Sequence, residues 1–181
     1  MNERYVLALD PSGNFYEGKG TTGWCLFDQD SGKLAKFGYI YAEHFTTQMD
    51  YWDAHISLID SLAGYHPDIV MEDYLLYGNR ANNQINSRLE TPQLIGMIKY
   101  EAYKRGLKVA VQTALQVKTR WSDNILIRKG YIQKKGNRFY IGTTGIPDHI
   151  KDSIRHALHF TTYTSTYRRW KIWMKNIKQL E

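Results

Sequence analysis

The chain has little cysteine, no long apolar run and a shortage of acid, and each lack excludes something. One cysteine, Cys25, in 181 residues rules out an intrachain disulfide framework and fits a reducing compartment. No stretch approaches the apolar length of a membrane span, and Met1-Asn2-Glu3-Arg4 leads straight into a strand pattern, so neither a membrane anchor nor a signal peptide is expected. Internal repeats, linkers and low-complexity tracts are missing too, which at this length argues for one well-cored domain. Acids number 18 against 24 Lys and Arg, with a pI near 9.3, a modest pointer to a polyanionic partner. Aromatics, by contrast, are plentiful: 14 Tyr and 5 Trp, residues that stack on bases or simply fill a core.

The organising stretch is Tyr5–Asp10, a nearly continuous apolar run closed by Pro11-Ser12-Gly13, which reads as a buried central strand ending in a carboxylate. A buried acid needs a cationic partner, so Asp10 is either a ligand for an ion or substrate or a strand-end Asp opening a turn. A Gly-rich loop follows. Thr21–Phe27 and Leu34–Ala42 then complete a three-stranded antiparallel meander, and Thr47–Leu62 is apolar at helical spacing. Ile69–Tyr74 reads as a second buried strand with acids at its far end. Period 2 allows only one of Glu72 and Asp73 to face the same way as Asp10. Thr91–Arg105 is a helix between Pro92 and Gly106, and Leu107–Thr113 is a fifth strand. The Gln116–Tyr140 stretch is a basic arm in which seven cations oppose Asp123 alone, with a hairpin expected at Tyr131–Tyr140. A core helix over Asp148–Phe160 and a basic, Trp-bearing helix at 164–181 end the chain. The expected plan is α/β: a mixed five-stranded sheet, three strands antiparallel and then parallel ones, with helices on both faces. Its main domain covers residues 1–163.

Acids at the ends of the first and fourth strands can be neighbours in such a plan. On the last helix Asp148 lies four residues before Asp152, and His149 three before it, so Asp152 can share a face with either. Oxygen-rich groups of this kind suit Mg²⁺ or Mn²⁺ and, with two ions, phosphodiester hydrolysis. Taken alone, Asp148 and His149 are better explained by plain N-terminal capping; it is the number of acids able to meet that favours a site.

Ala8-Leu9-Asp10-Pro11-Ser12-Gly13 with Thr22-Gly23-Trp24 resembles the first motif of the RuvC-type Holliday-junction resolvases, members of the ribonuclease H-like fold. Asp68–Glu72, Thr91–Gly96, Gln116-Val117-Lys118 and Asp148–Ile154 are similar to later segments of that family in the same order, over roughly residues 5 to 160. The resemblance implies a homodimeric, metal-dependent endodeoxyribonuclease acting on four-way junctions or other branched DNA, in a bacteriophage version, with the bacterial or phage-infected cytoplasm as its location. It implies Asp10, Glu72 and Asp152 as metal-binding acids and His149 in the fourth position, with Asp148 a rival. Lys118 carries over as the basic group near the scissile phosphate. The loop from Ser12 to Thr21 is longer than the family's usual link.

DNA contacts are expected from Arg120, Arg128, Lys129, Lys134, Lys135 and Arg138 of the arm, and from Arg80 and Arg88. Tyr74 or Tyr77 is a candidate wedge between bases, or a packing residue. Leu94, Ile95, Met97 and Ile98 are either a two-fold interface or core. Three alternatives remain on other grounds: a non-cleaving branched-DNA binder, a nuclease for flaps or RNA–DNA hybrids, and an actin/Hsp70-like ATPase. The ATPase would need a second lobe and a second phosphate loop, which this length does not allow.

Overall fold

The computed structural model describes residues 4–75 and 88–177, with side chains described as far as residue 163. Strand β1 is Tyr5–Asp10, and all but its first residue are buried. It pairs antiparallel with β2 (Thr21–Asp28), and β2 with β3 (Lys33–Tyr41). On its other side β1 runs parallel to β4 (Asp68–Glu72), and β4 parallel to β5 (Val109–Gln112). The sheet order is β3-β2-β1-β4-β5, so the strand of near-continuous apolar sequence is the central one.

Alternation along β1 and β4 sorts the core into two layers. Leu7, Leu9, Ile69 and Met71 face helices α1 (Gln48–Leu62) and α2 (Glu90–Lys104), packing with Tyr51, Ile59, Leu94 and Ile98. Val6, Ala8, Cys25, Phe27 and Val70 face the opposite way, onto Ile150, Ile154 and Ala157 of the last helix. Helix α1 starts at a reciprocal cap: Thr47 accepts from the Asp50 N–H at 3.1 Å and Asp50 accepts from the Thr47 N–H at 3.2 Å.

The expected strands and long helices are present, with three differences. The basic arm contains two short helices, α3 (Ala114–Arg120) and α4 (Asp123–Arg128), for which the charge-dominated pattern gave no apolar period. Its hairpin, β6 (Gln133–Lys135) and β7 (Arg138–Ile141), gains a third strand, β8 (Thr144–Ile146). The closing helix α5 runs from Asp148 to Ile177 as one element, joining the two helices read separately in the sequence. Among the described residues no helix is long and apolar enough to cross a membrane.

Candidate active site

Asp10 pairs with Gly23 across β1 and β2, and the first turn of α5 lies directly on Gly23. A Cβ there would overlap the His149 carbonyl and the Ile150 nitrogen, so only glycine lets the helix approach this closely. The approach delivers His149, whose Nδ1 stands 2.6 Å from Asp10 Oδ2. Thr22, the neighbour of Gly23, braces the turn after Asp10: it accepts from the Ser12 N–H at 3.3 Å, and the Tyr51 hydroxyl donates to the Ser12 carbonyl at 2.7 Å. Beneath them His55 is buried and neutral, its pKa pushed down to about 4 by burial against the opposing pull of its bond to the Tyr51 carbonyl. Its Nδ1–H donates to that carbonyl, so its Nε2 accepts from the Thr22 hydroxyl at 2.9 Å. The Thr-Gly pair therefore has two jobs, one on each face of the sheet.

Glu72 ends β4. The register Leu9–Met71 carries Asp10 and Glu72 onto adjacent parallel strands, spaced ~4.8 Å apart, on the face toward α5. Period 2 thus selects Glu72 over Asp73. The Gln112 amide, with its nitrogen toward His156, donates to Nδ1 at 2.9 Å while its oxygen accepts from the Phe160 N–H at 3.2 Å. His156 therefore carries its proton on Nε2 and directs it to Glu72 at 3.3 Å. Asp152, one turn beyond His149, is nearly buried and takes Lys118 Nζ at 3.0 Å and the Arg155 guanidinium. Arg155 also donates to the Trp121 carbonyl at 2.8 Å and holds Asp123, which Lys151 reaches at 3.2 Å.

These groups share one field. Burial pushes the Asp10 carboxyl up, His149 opposes this by hydrogen bond and charge, and the charges of Glu72 and Asp152 add to the rise. The hydrogen bond to Asp10 raises His149 against its burial, aided by the charges of Asp10, Asp152 and Glu72. Burial draws Lys118 down, but Asp152, Glu72 and Asp10 together outweigh it and the net shift is upward. Three acids and a lysine from four separate elements therefore converge at the carboxyl ends of β1 and β4. Among the described residues no trio of His, Cys, Asp or Glu stands as a ready-made metal cage. Each acid instead leans on a nitrogen: Asp10 on His149, Glu72 on His156, Asp152 on Lys118 and Arg155. The donor set is nonetheless the oxygen-rich kind that hard divalent cations take, and a buried Asp10 driven toward protonation is the deficit a cation would relieve.

Other expected residues fall elsewhere. Asp148 is 78% exposed and pairs with Lys151 at 3.0 Å, because the first residue of α5 points away from the sheet; the position beside Asp10 belongs to His149. Leu94, Ile95 and Ile98 are buried core, with the half-buried Met97 packed against them, which is the core alternative of the two. Tyr74 lies past the end of β4 and packs on the same core, as its packing alternative had it. Tyr77 and Arg80 lie outside the described residues. Arg88 stacks 3.8 Å over the Tyr16 ring, and Arg120 sits over Tyr163. Arg128, Lys129, Lys134, Lys135 and Arg138 are exposed, three of them lying over rings of the arm: Lys129 on Trp121, Lys134 on Phe139 and Lys135 on Tyr140. Sequence reading missed Arg155, His156 and the Thr22–Tyr51–His55 brace. The available signal was an Arg and a His three and four residues after Asp152, beside the apolar stripe of a core helix.

A five-stranded mixed sheet in this order, with carboxylates on its two central strands and a closing helix bringing a third, is the ribonuclease H-like α/β arrangement. Within it, the chain has the RuvC fold. The structure of T. thermophilus RuvC in complex with Holliday junction substrate superposes at TM-score 0.64 with 14% identity, covering 90% of this chain and 96% of that one. A second Thermus thermophilus RuvC structure gives 0.59 and 15%, with the same coverage. No family profile matches the sequence, and no curated protein matches it either.

Proposed function

We propose that the chain is a metal-dependent endonuclease that resolves four-way junctions and related branched DNA by phosphodiester hydrolysis. The observation that carries this reading is the convergence of Asp10, Glu72 and Asp152 with Lys118 at the carboxyl ends of β1 and β4 in a RuvC fold. Asp10, Glu72, Asp152 and His149 would hold Mg²⁺ or Mn²⁺, two ions in the paired form, which supply charge relief and an activated water when bound. Lys118, held beside the acids and raised toward its charged form, offsets charge growing on the phosphate. In the alternative arrangement His149 stays beside Asp10 and would orient the attacking water instead of holding an ion. The exposed cations of the arm neutralise backbone phosphates and make binding steeply salt-dependent.

Symmetric cutting of two strands calls for a two-fold dimer. The core residues of α2 are not available for it, but Gln93, Gly96, Tyr100 and Tyr103 make a stripe on the exposed side of that helix, with Tyr103 79% exposed. This stripe is the interface we assign. Incubating the protein with duplex, RNA–DNA hybrid, flap and four-way substrates in Mg²⁺ tests the reading. Paired symmetric nicks in the junction are expected, and Asp10→Asn should bind the junction without cutting it. Metal-independent binding with no nicked product would replace the nuclease by a branched-DNA binder.

A further inference from the structure

Helix α5 carries His149, Asp152, His156, His159 and Tyr163 at alternating spacings of three and four, one continuous stripe of its surface. The first three belong to the site: His149 and His156 serve Asp10 and Glu72, and Asp152 is the third acid. The last two leave the site and border a groove of about 550 Å³ between α3 and α5, lined by Leu115, Gln116, Thr119, Arg120, His159 and Tyr163. That volume lies within the ~300–1,000 Å³ of small-ligand sites. The groove shares both its walls with the candidate active site, since Lys118 and Asp152 sit on the same two helices.

Its contents have a definite chemistry. Arg120 extends over the Tyr163 ring at 5.2 Å, with Nη1 3.3 Å from the hydroxyl. Arg4, Arg105 and Arg155 are each clasped by carboxylates; Arg120, like Arg88, Arg128 and Arg138, makes no ion pair among the described residues. The His159 and Tyr163 rings meet at 4.4 Å and 43°, and His159 Nδ1 is buried with no hydrogen-bond partner among the described residues. Burial holds His159 below its usual range, and the positive charge of Arg120 adds to the fall. Opposite stands Leu115, 70% exposed. An unneutralised guanidinium, a pair of π faces and an apolar wall match a phosphate, a base and a sugar in turn.

We infer that this groove seats one nucleotide of the cleaved DNA strand, Arg120 on its phosphate and the His159–Tyr163 pair against its base. The inference rests on the nuclease reading above. Seven and eleven residues of helix separate Asp152 from His159 and Tyr163, or ~10–16 Å at 1.5 Å per residue. At ~3.4 Å per stacked nucleotide, the seated nucleotide lies roughly three to five positions from the cut.

Four-way junctions carrying a single methylphosphonate linkage or a single abasic residue, moved stepwise along the cleaved strand, test this in EDTA by fluorescence anisotropy. Wild type should lose about tenfold in affinity at one position three to five nucleotides from the cut, for each lesion. Arg120→Gln should erase the penalty for the methylphosphonate and Tyr163→Leu that for the abasic residue, while Tyr163→Phe, which keeps the ring, retains it. Lesion profiles identical among wild type, Arg120→Gln and Tyr163→Leu overturn the groove assignment and leave the nuclease standing. Failure of the wild type to bind any branched DNA overturns both.

Discussion

Replacing Gly23 by alanine is a one-carbon test of how the site is assembled. The added methyl would enter the space of the His149 carbonyl carbon and oxygen and the Ile150 nitrogen. All three are backbone atoms in the first turn of a helix, so no side chain can swing aside. The turn must retreat by roughly an ångström to restore ordinary contact, and overpacking of this type costs about 2–3 kcal/mol. In a domain of this size that lowers Tm by roughly 4–12 °C. The same retreat carries His149 Nδ1 from 2.6 Å to beyond hydrogen-bond reach of Asp10. Thermal unfolding followed by circular dichroism, with junction cleavage at a temperature well below either midpoint, reads both consequences. Cleavage should fall at least tenfold while junction binding persists. A variant that melts within a degree or two of wild type and cuts normally would refute the claim that glycine sets the helix approach.

Arg155→Met removes three bonds from a nearly buried guanidinium, to the Trp121 carbonyl, Asp152 and Asp123. Lys118 and Lys151 still serve the two acids, so the loss should sit near the low end for a broken buried pair, about 3 kcal/mol by urea denaturation; an unchanged midpoint would show the network to be dispensable. Lys118→Ala should slow single-turnover cleavage more than it weakens junction affinity, and the reverse split would make Lys118 only a phosphate contact. His149 is raised in the folded protein by its bond to Asp10, so that bond stabilises fully below the unfolded value of about 6.5 and the stabilisation fades as pH rises through the folded value. Without divalent cation, the urea midpoint should therefore fall on going from pH 6 to alkaline pH, and His149→Asn should flatten that slope; equal slopes would remove the pair as the cause.

Much of this was legible in the residues. The apolar run Tyr5–Leu9 could only be a strand covered on both faces, and it proved central. Period 2 along Val70–Asp73 let only one of Glu72 and Asp73 share the face of Asp10, the family resemblance named Glu72, and the register of β4 on β1 turned Glu72 that way. The arm was harder. Its helices α3 and α4 bury little beyond Val117 and Leu126, so the hydrophobic period that betrays longer helices is absent. Asp148 and His149 were likewise undecidable in one dimension: both reach Asp152 by helical spacing, and only the angle at which α5 meets β2 turns one inward and the other out.

Alternation, turn chemistry and helical spacing are local, so the chain's own order already determined the strands, the long helices and which carboxylates were available. Partners are not local. Whether Leu94 and Ile98 met a second copy or α1, whether Arg155 held Asp152, and whether Arg120 found an acid depended on how elements far apart in sequence packed. That packing was decided by apolar faces seeking cover and by a methyl-sized gap at Gly23.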